Sequence, residues 1–546
     1  LKSEVIRYPD TVEEKTEIDK LVADYARITN LDIGSAEINN FVGTLFKARG
    51  YLDMAIDRYK QAINLQSDYS EAYCNIGHIL RKKGDLDAAI ESYKQALKIK
   101  PDLFAAYDSM GSALRDMGEV DAAIDSYKQA IKIKPDYANA YSNMGIALKQ
   151  NGELDAAIDS CKKAIKIKPG YAEAYYNMGI ALKDKGELDA AIDSYKQAIK
   201  IKPDYAEAHS NMGNALREKG ELDAAIDNYK QAIKIKPDYA DAYNNMGNAL
   251  KDKGDLEPAI DSYKQALKIK PDCFKAYNNM GNALKDKGDS DAAKNSYKQA
   301  LKIKPDFTES NYNLSLVYLY KMDFKKGWPK YEWRLDRYKR DYTFDSEITA
   351  TSRWEPSKKG RVLLWPEQGI GDQVMFSSII PELHKITDKL LVQVDERLIP
   401  LFKRSFSLDI EFHSSKEKID KSEYDYQISC GSLPKYFRQT IESFENSSKG
   451  WLSASDLKTK NFRSKLLSDE SETLIGISWR STTNRSSQKR SVPLSQLATS
   501  LHSNNVRLIS LQYGEVDSEI ENLFDDSGIK VIQIKEINNM NDIDDL

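Results

Sequence analysis

From about residue 36 the chain repeats one pattern of apolar and polar positions every 34 residues. Residues 172–205, AEAYYNMGIALKDKGELDAAIDSYKQAIKIKPDY, show it well. Tyr175, Met178, Gly179 and Leu182 recur at intervals of three and four, which puts them on one stripe of a helix. Ala191, Tyr195, Ala198 and Ile199 form the buried stripe of a second helix. Gly186 lies between them and can take the left-handed conformation that ends a helix. Pro203 cannot continue the second helix, and Asp204 opens the next unit. Gly179 is small where the second helix must pass closely.

The same marks recur along the chain. One glycine series runs Gly43, Gly77, Gly111, Gly145, Gly179, Gly213, Gly247 and Gly281; the turn series runs from Gly50 to Gly288; prolines follow from Pro101 to Pro305. A fixed period of this length predicts a helix-turn-helix solenoid, in which each unit buries its stripes only against its neighbours. The pattern resembles the tetratricopeptide family, which implies a right-handed superhelix with the first helix of each unit on the concave face. Residues 36–307 hold eight such units. Residues 1–35 fit none and are expected to contain a capping helix. Residues 308–341 keep Asn311, Leu314 and Tyr331 but carry Trp328 and Arg334, which predicts a degenerate last unit serving as a joint.

Beside the buried stripe of the first helices stand Asn75, Ser109, Asn143, Asn177, Asn211, Asn245, Asn279 and Asn313, with Asn214, Asn248 and Asn282 one turn further on. A carboxamide both donates and accepts, so a row of them can hold an extended peptide backbone whatever its sequence. The row resembles the asparagine ladder of the O-GlcNAc-transferase family and implies a polypeptide partner. The competing reading is that these amides solvate the groove or bond between helices. Glu173, Glu207 and Asp241, with Asp184, Glu218, Asp252 and Asp286, would bias the groove toward basic segments or are ordinary solvated charges. The near identity of successive units fits a regular ligand, or recent duplication.

After about residue 342 the period vanishes and strands are predicted: 361–365, 390–394, 410–413, 426–428, 474–479, 507–511 and 529–534. Strand 361–365 leads into PEQGIGDQVMFSSIIPEL, a strand, glycine turn and helix that open a Rossmann-like unit. A dinucleotide site would need a third glycine at Val374. The segment instead resembles heptosyltransferase-like and O-GlcNAc-transferase-like glycosyltransferases in Gly369, Gly371, Asp372 and Pro381, and again in GISWRSTTNRSSQKRSVPL and SLQYG; the aromatic WPKYEWRL resembles the joint of such fusions. The resemblance implies mainly α architecture followed by a two-domain Rossmann-like region, 342–450 and 451–546, with Trp451 and Leu452 as linker and the second domain incomplete. It implies a nucleotide sugar as donor substrate, without a cofactor or metal. Asp372 would be the base on the acceptor side, or a helix cap. Gly369 and Gly371 would admit the donor, and Arg480, Lys489 and Arg490 would meet its diphosphate, or lie in a solvated loop. His384 and His413 read as packing or surface residues.

Charge narrows the partners. The 80 basic and 84 acidic residues leave a net charge of −4, which gives nucleic acid no electrostatic case. No stretch approaches the ~20 apolar residues of a membrane helix. Cys74, Cys161, Cys273 and Cys430 share no pairing or metal-ligand spacing, which predicts free thiols in a reducing, cytoplasmic setting. The chain begins at Leu1 without an initiator Met or a signal-peptide core, as expected of a piece or a processed form. Two functions follow: a repeat array presenting an acceptor to a glycosyltransferase, or a non-enzymatic scaffold.

Overall fold

The computed structural model describes residues 12–336, 351–367, 369–447, 450–467, 472–479, 491–503, 505–512 and 514–534. The chain divides into two compact units, Leu1–Gly288 and Asp289–Leu546.

The first unit opens with the helix Val12–Thr29, which buries Ile18 and Ala26 against the first hairpin. Paired helices follow, from Ala36–Arg49 with Leu52–Leu65 onward to Phe274–Lys287. In the pair Ala172–Asp184 and Leu188–Ile201, the buried positions are Ala172, Ala174, Gly179, Ala181 and Leu182 on one side and Ala191, Ile192, Ser194, Tyr195 and Ala198 on the other. Tyr175, Met178 and Ile199, expected in the stripe, are half-buried, and the fully buried first-helix positions are mostly alanines. Alanine lets the two backbones approach, and in all but one hairpin the space is filled by one large ring. Tyr59, Tyr93, Tyr127, Tyr195, Tyr229 and Tyr263 are all completely buried. Each ring lies on a glycine of the partner helix: a Cβ on Gly179 would stand 2.6 Å from Cε1 of Tyr195. At Gly145 the facing atom is Sγ of Cys161, at 2.7 Å from such a Cβ. Gly186 has φ +87° and open space around it, so its role is conformational. Lys202, before Pro203, is held near φ −128°, ψ 89°, as proline requires of its predecessor.

The second unit begins with the helix Ser290–Ile303 and the hairpin Thr308–Tyr320 and Phe324–Tyr331. It continues into a parallel sheet of β1 (Arg361–Trp365), β2 (Lys389–Val394), β3 (Glu411–Ser414) and β4 (Tyr426–Ser429), in the order β3-β2-β1-β4. A smaller parallel sheet, β5 (Thr473–Ile477), β6 (Val506–Ser510) and β7 (Val531–Gln533), has the order β5-β6-β7. Central strands β1 and β2 are buried on both faces, which accounts for their continuous apolar runs.

The last hairpin is built into the four-stranded sheet. Tyr331 belongs to the sheet's core, and the indole Nε1 of Trp328 donates to the carbonyl of Arg438 at 2.6 Å. Arg334 is fully buried and reaches Glu367, just past the end of β1, and the hydroxyls of Ser429 and Ser432. Trp451, expected in a linker, is tied to the same core, with its Nε1 donating to Ser377 Oγ at 2.8 Å.

Candidate functional site

The asparagine row is engaged along the array. Nδ2 of Asn75 donates to Asn40 at 3.1 Å, that of Asn143 to Asp108 at 3.0 Å, and that of Asn177 to Ser142 at 3.0 Å. Asn211 donates to the Tyr176 hydroxyl at 2.7 Å and Asn279 to Asn244 at 3.1 Å. In every case the acceptor is 35 residues earlier, beside the equivalent position of the preceding hairpin. The bonding between helices weighed as the alternative is therefore present, and one proton of each of these five amides is committed to it. The carbonyl oxygens divide into two groups. Those of Asn211, Asn245 and Asn279 accept from Asn214, Asn244 and Asn278. Those of Asn75, Asn143 and Asn177 accept nothing from the described residues, and all three side chains are half-buried. Asn313 lies in the second unit, half-buried on the helix Thr308–Tyr320. The acceptors Asn40, Asp108, Ser142, Tyr176 and Asn244 are the functional partners that the sequence pattern alone did not single out. Asp108 is the carboxylate among the acceptors; burial pushes its pKa up, while the bond from Asn143 pulls it down.

Part of the acidic series is already paired within the array. Asp184 sits between Lys149 at 3.0 Å and Lys183 at 3.5 Å, and Asp252 between Lys251 at 3.2 Å and Arg217 at 3.8 Å. Asp116 repeats the arrangement with Arg81 and Arg115. Glu207 meets Lys236 at 3.7 Å. A cation recurs in every unit at the position of Lys183, and it pairs with the following carboxylate at Asp116, Asp184 and Asp252. Glu173, Glu218, Asp241 and Asp286 remain exposed.

In the second unit Gly369, Gly371 and Asp372 lie at the carboxyl end of β1. There the strand order reverses, with β2 on one side and β4 on the other; in open parallel sheets this is where ligand crevices form. Gly369 precedes the helix Ile370–Ser377 at φ −63°, ψ 174°, and a Cβ on either glycine would meet nothing within 4 Å. Neither turn strain nor packing within the chain calls for glycine at these two places. Asp372 is the third residue of the helix and does not cap it with its side chain. Burial, and then the nearby charge of Glu367, raise its pKa above the ordinary aspartate value. Gln373 from the same turn accepts the backbone N–H of Asp395 at 2.8 Å, which fixes the turn against the end of β2.

Arg480, Lys489 and Arg490 lie outside the described residues. The two motifs flanking them do meet: Gln512 accepts from the backbone N–H of Trp479 and from the Ser478 hydroxyl, both at 3.0 Å, and the buried Trp479 indole donates to Glu519 at 2.6 Å. His413 Nδ1 lies 3.2 Å from Glu417, and His384 is half-buried with Nδ1 unpartnered. Cys161 and Cys430 are buried free thiols whose pKa burial pushes up to about 12. Among the described residues no group of three or more His, Cys, Asp or Glu side chains could hold a metal ion, and no helix is long and apolar enough to cross a membrane.

Comparison with known proteins agrees with the hairpin geometry. A profile described as "TPR repeat" matches residues 43–80, 111–152, 147–186, 181–216, 213–254 and 247–288, and one described as "Tetratricopeptide repeat" matches 70–103 and 274–307. The protein FlbA of Caulobacter vibrioides (strain ATCC 19089 / CIP 103742 / CB 15) is 25% identical over 241 residues, which span 40% of this chain and 40% of that relative. Among solved structures, MamA is 36% identical over 30% of this chain and 97% of its own, with a TM-score of 0.28. YrrB, described as "a TPR protein with an unusual peptide-binding site", is 23% identical over 34% of this chain and 96% of its own, with a TM-score of 0.29. The repeating helix pairs, their glycine-to-ring contacts and the profile matches together identify residues 43–103 and 111–307 as tetratricopeptide repeats.

Proposed function

We propose that the first-helix face of the repeats binds an extended polypeptide and presents it to the crevice after β1. The observation that carries this reading is the half-used amide row. One proton of Asn75, Asn143 and Asn177 is fixed by the neighbouring hairpin, which sets the side chain's direction, while Oδ1 of the same three residues is left to accept from a partner's backbone N–H. Amides already held in place lose little side-chain entropy on binding, which favours affinity. With four free thiols, we place the protein in a reducing, cytoplasmic setting.

The test is calorimetric titration of peptides selected by display on the wild-type chain, repeated on Asn75→Ala/Asn143→Ala/Asn177→Ala. Melting curves taken in parallel separate lost binding from lost packing, because the same substitutions remove bonds between hairpins. Unchanged affinity in a folded variant removes the amide row from the account.

A second reading extends the first: the crevice takes a nucleotide sugar and transfers its sugar to an acceptor on the bound polypeptide. It is favoured by two glycines without a structural need for glycine and by an uncapping Asp372 of raised pKa, suited to accept a hydroxyl proton. Donor binding and hydrolysis measured over a panel of nucleotide sugars, with Asp372→Ala as control, decide it. Polypeptide binding without any donor binding leaves the non-enzymatic scaffold as the function.

A further inference from the structure

Before five of the eight turn glycines stands a lysine that meets a carboxylate of the preceding hairpin, and three of these lysines bridge to a second carboxylate. Lys185 lies 2.7 Å from both Asp155 and Glu187, and Lys219 lies 2.7 Å from both Asp189 and Glu221. Lys253 meets Asp223 at 2.6 Å and Asp255 at 3.7 Å. Lys83 and Lys287 meet Asp53 and Glu257 at 2.6 and 3.3 Å. At two successive hairpins the cation is missing, because Met117 precedes Gly118 and Asn151 precedes Gly152. The acids remain: Asp87 and Glu119 at one place, Asp121 and Glu153 at the other, all four exposed. Asn151 donates to Asp121 at 3.3 Å and to Glu153 at 2.8 Å, which satisfies hydrogen bonds but adds no charge. Met117 puts a thioether at the surface where an ammonium stands elsewhere.

A cleft of about 550 Å³ opens at the same place. Its walls include Ile124, Met144 and Leu148, and Asp121 and Glu153 also line it. Two lysines line it as well, but Lys128 is engaged with Asp125 at 3.2 Å and Lys163 lies over the Tyr141 ring, 5.9 Å from its centroid. The lining acids Asp121, Asp125, Glu153 and Asp159 outnumber these lysines, so this edge is negative, and it adjoins apolar wall. A phosphate-bearing partner would be repelled. A bare metal ion is not suited, since no triad of ligating side chains is assembled there among the described residues. We infer that this edge, between residues 87 and 163, docks a basic segment of a partner protein. The partner's lysine or arginine takes the place of the missing bridging cation, and a neighbouring aliphatic side chain enters the cleft against Ile124, Met144 and Leu148. The inference does not depend on the amide row.

The experiment uses the whole chain and a fluorescent peptide of alternating lysine and leucine, read by anisotropy, with an alternating glutamate and leucine peptide as control. Met117→Lys/Asn151→Lys restores the bridging cations without touching a buried residue and should raise thermal stability. It should weaken the basic peptide about tenfold and flatten the salt dependence of binding. The variant Asn75→Ala/Asn143→Ala/Asn177→Ala should keep the wild type's ratio of affinities for the basic and acidic peptides, since both present the same backbone to the amide row. Equal affinity of Met117→Lys/Asn151→Lys and wild type, or equal affinity for the acidic peptide, overturns the inference.

Discussion

The guanidinium of Arg334 grips both carboxylate oxygens of Glu367, Nε to Oε2 at 2.7 Å and Nη2 to Oε1 at 2.6 Å, with neither side chain exposed to solvent. The pair joins the last repeat hairpin to the end of β1. Glu332 Oε1, 2.9 Å from Nη1, and the hydroxyls of Ser429 and Ser432 complete the shell of the arginine, and the Gly431 N–H donates to Glu367 at 3.1 Å. A Cβ on Gly431 would stand 2.9 Å from Glu367 Oε1, so the loop fits closely around the pair.

Removing one partner leaves a buried charge without its counterion. Arg334→Met should destabilise the second unit by about 3–5 kcal/mol, and Arg334→Lys should also be costly because a point charge cannot replace the planar fork. All six tryptophans lie at residue 328 or later, so denaturant unfolding followed by tryptophan fluorescence reads this unit alone. A midpoint unchanged by Arg334→Met would contradict the reading.

The buried tyrosines are not equivalent. The Tyr229 hydroxyl donates to Asn214 at 2.8 Å, whereas the Tyr195 hydroxyl is buried without a partner. Tyr229→Phe should cost about 1 kcal/mol, and Tyr195→Phe should be neutral or stabilising, since it removes an unsatisfied polar group. Thermal melts by circular dichroism compare the two directly.

Both glycine classes can be ranked in the same way. Gly186→Ala strains only the backbone and should cost about 1 kcal/mol. Gly179→Ala drives a methyl group into the fully buried Tyr195 ring, where overpacking costs about 1–3 kcal/mol. If Gly186→Ala proves the more damaging, the close helix approach is not what limits that position.

The repeat architecture could be read from the sequence because its signals are local. A glycine at a turn, a proline after a helix and an apolar stripe each act within a few residues, and the 34-residue period multiplies them. The strands were legible for a similar reason: 361–365 coincides with β1, and 426–428 falls one residue short of β4. The destination of the asparagine amides was not legible, because a bond to a residue 35 positions earlier depends on how successive hairpins stack. The paired state of Asp184 and Asp252 was hidden for the same reason, since in each case one cation comes from the preceding hairpin. At the α/β crevice the positions of Gly369, Gly371 and Asp372 followed from the strand-turn-helix pattern. Asp372 was expected to be either a base or a cap, and it makes no capping bond.

The protonation of Asp372 carries a pH prediction. Folding raises its pKa, first through burial and then through repulsion from Glu367, so the folded chain holds this proton more tightly than the unfolded one. The group therefore lowers stability as pH rises from the unfolded value through the folded one, and the penalty persists at neutral pH. Asp372→Asn should raise the melting midpoint at neutral pH and leave it unchanged below about pH 3. A midpoint at neutral pH equal to or below the wild type's would show that the carboxylate is not penalised.

Trp328, Tyr331 and Arg334 make the final hairpin a different kind of object from those before it. Upstream hairpins share one set of contacts, so whole 34-residue modules could be added or removed by gene duplication with little redesign. The last hairpin is specified by strands that lie some thirty to one hundred residues further on, and it cannot be exchanged for a copy of its neighbours. Array length is thus free to evolve, whereas the end of the array is tied to the sheet that follows it.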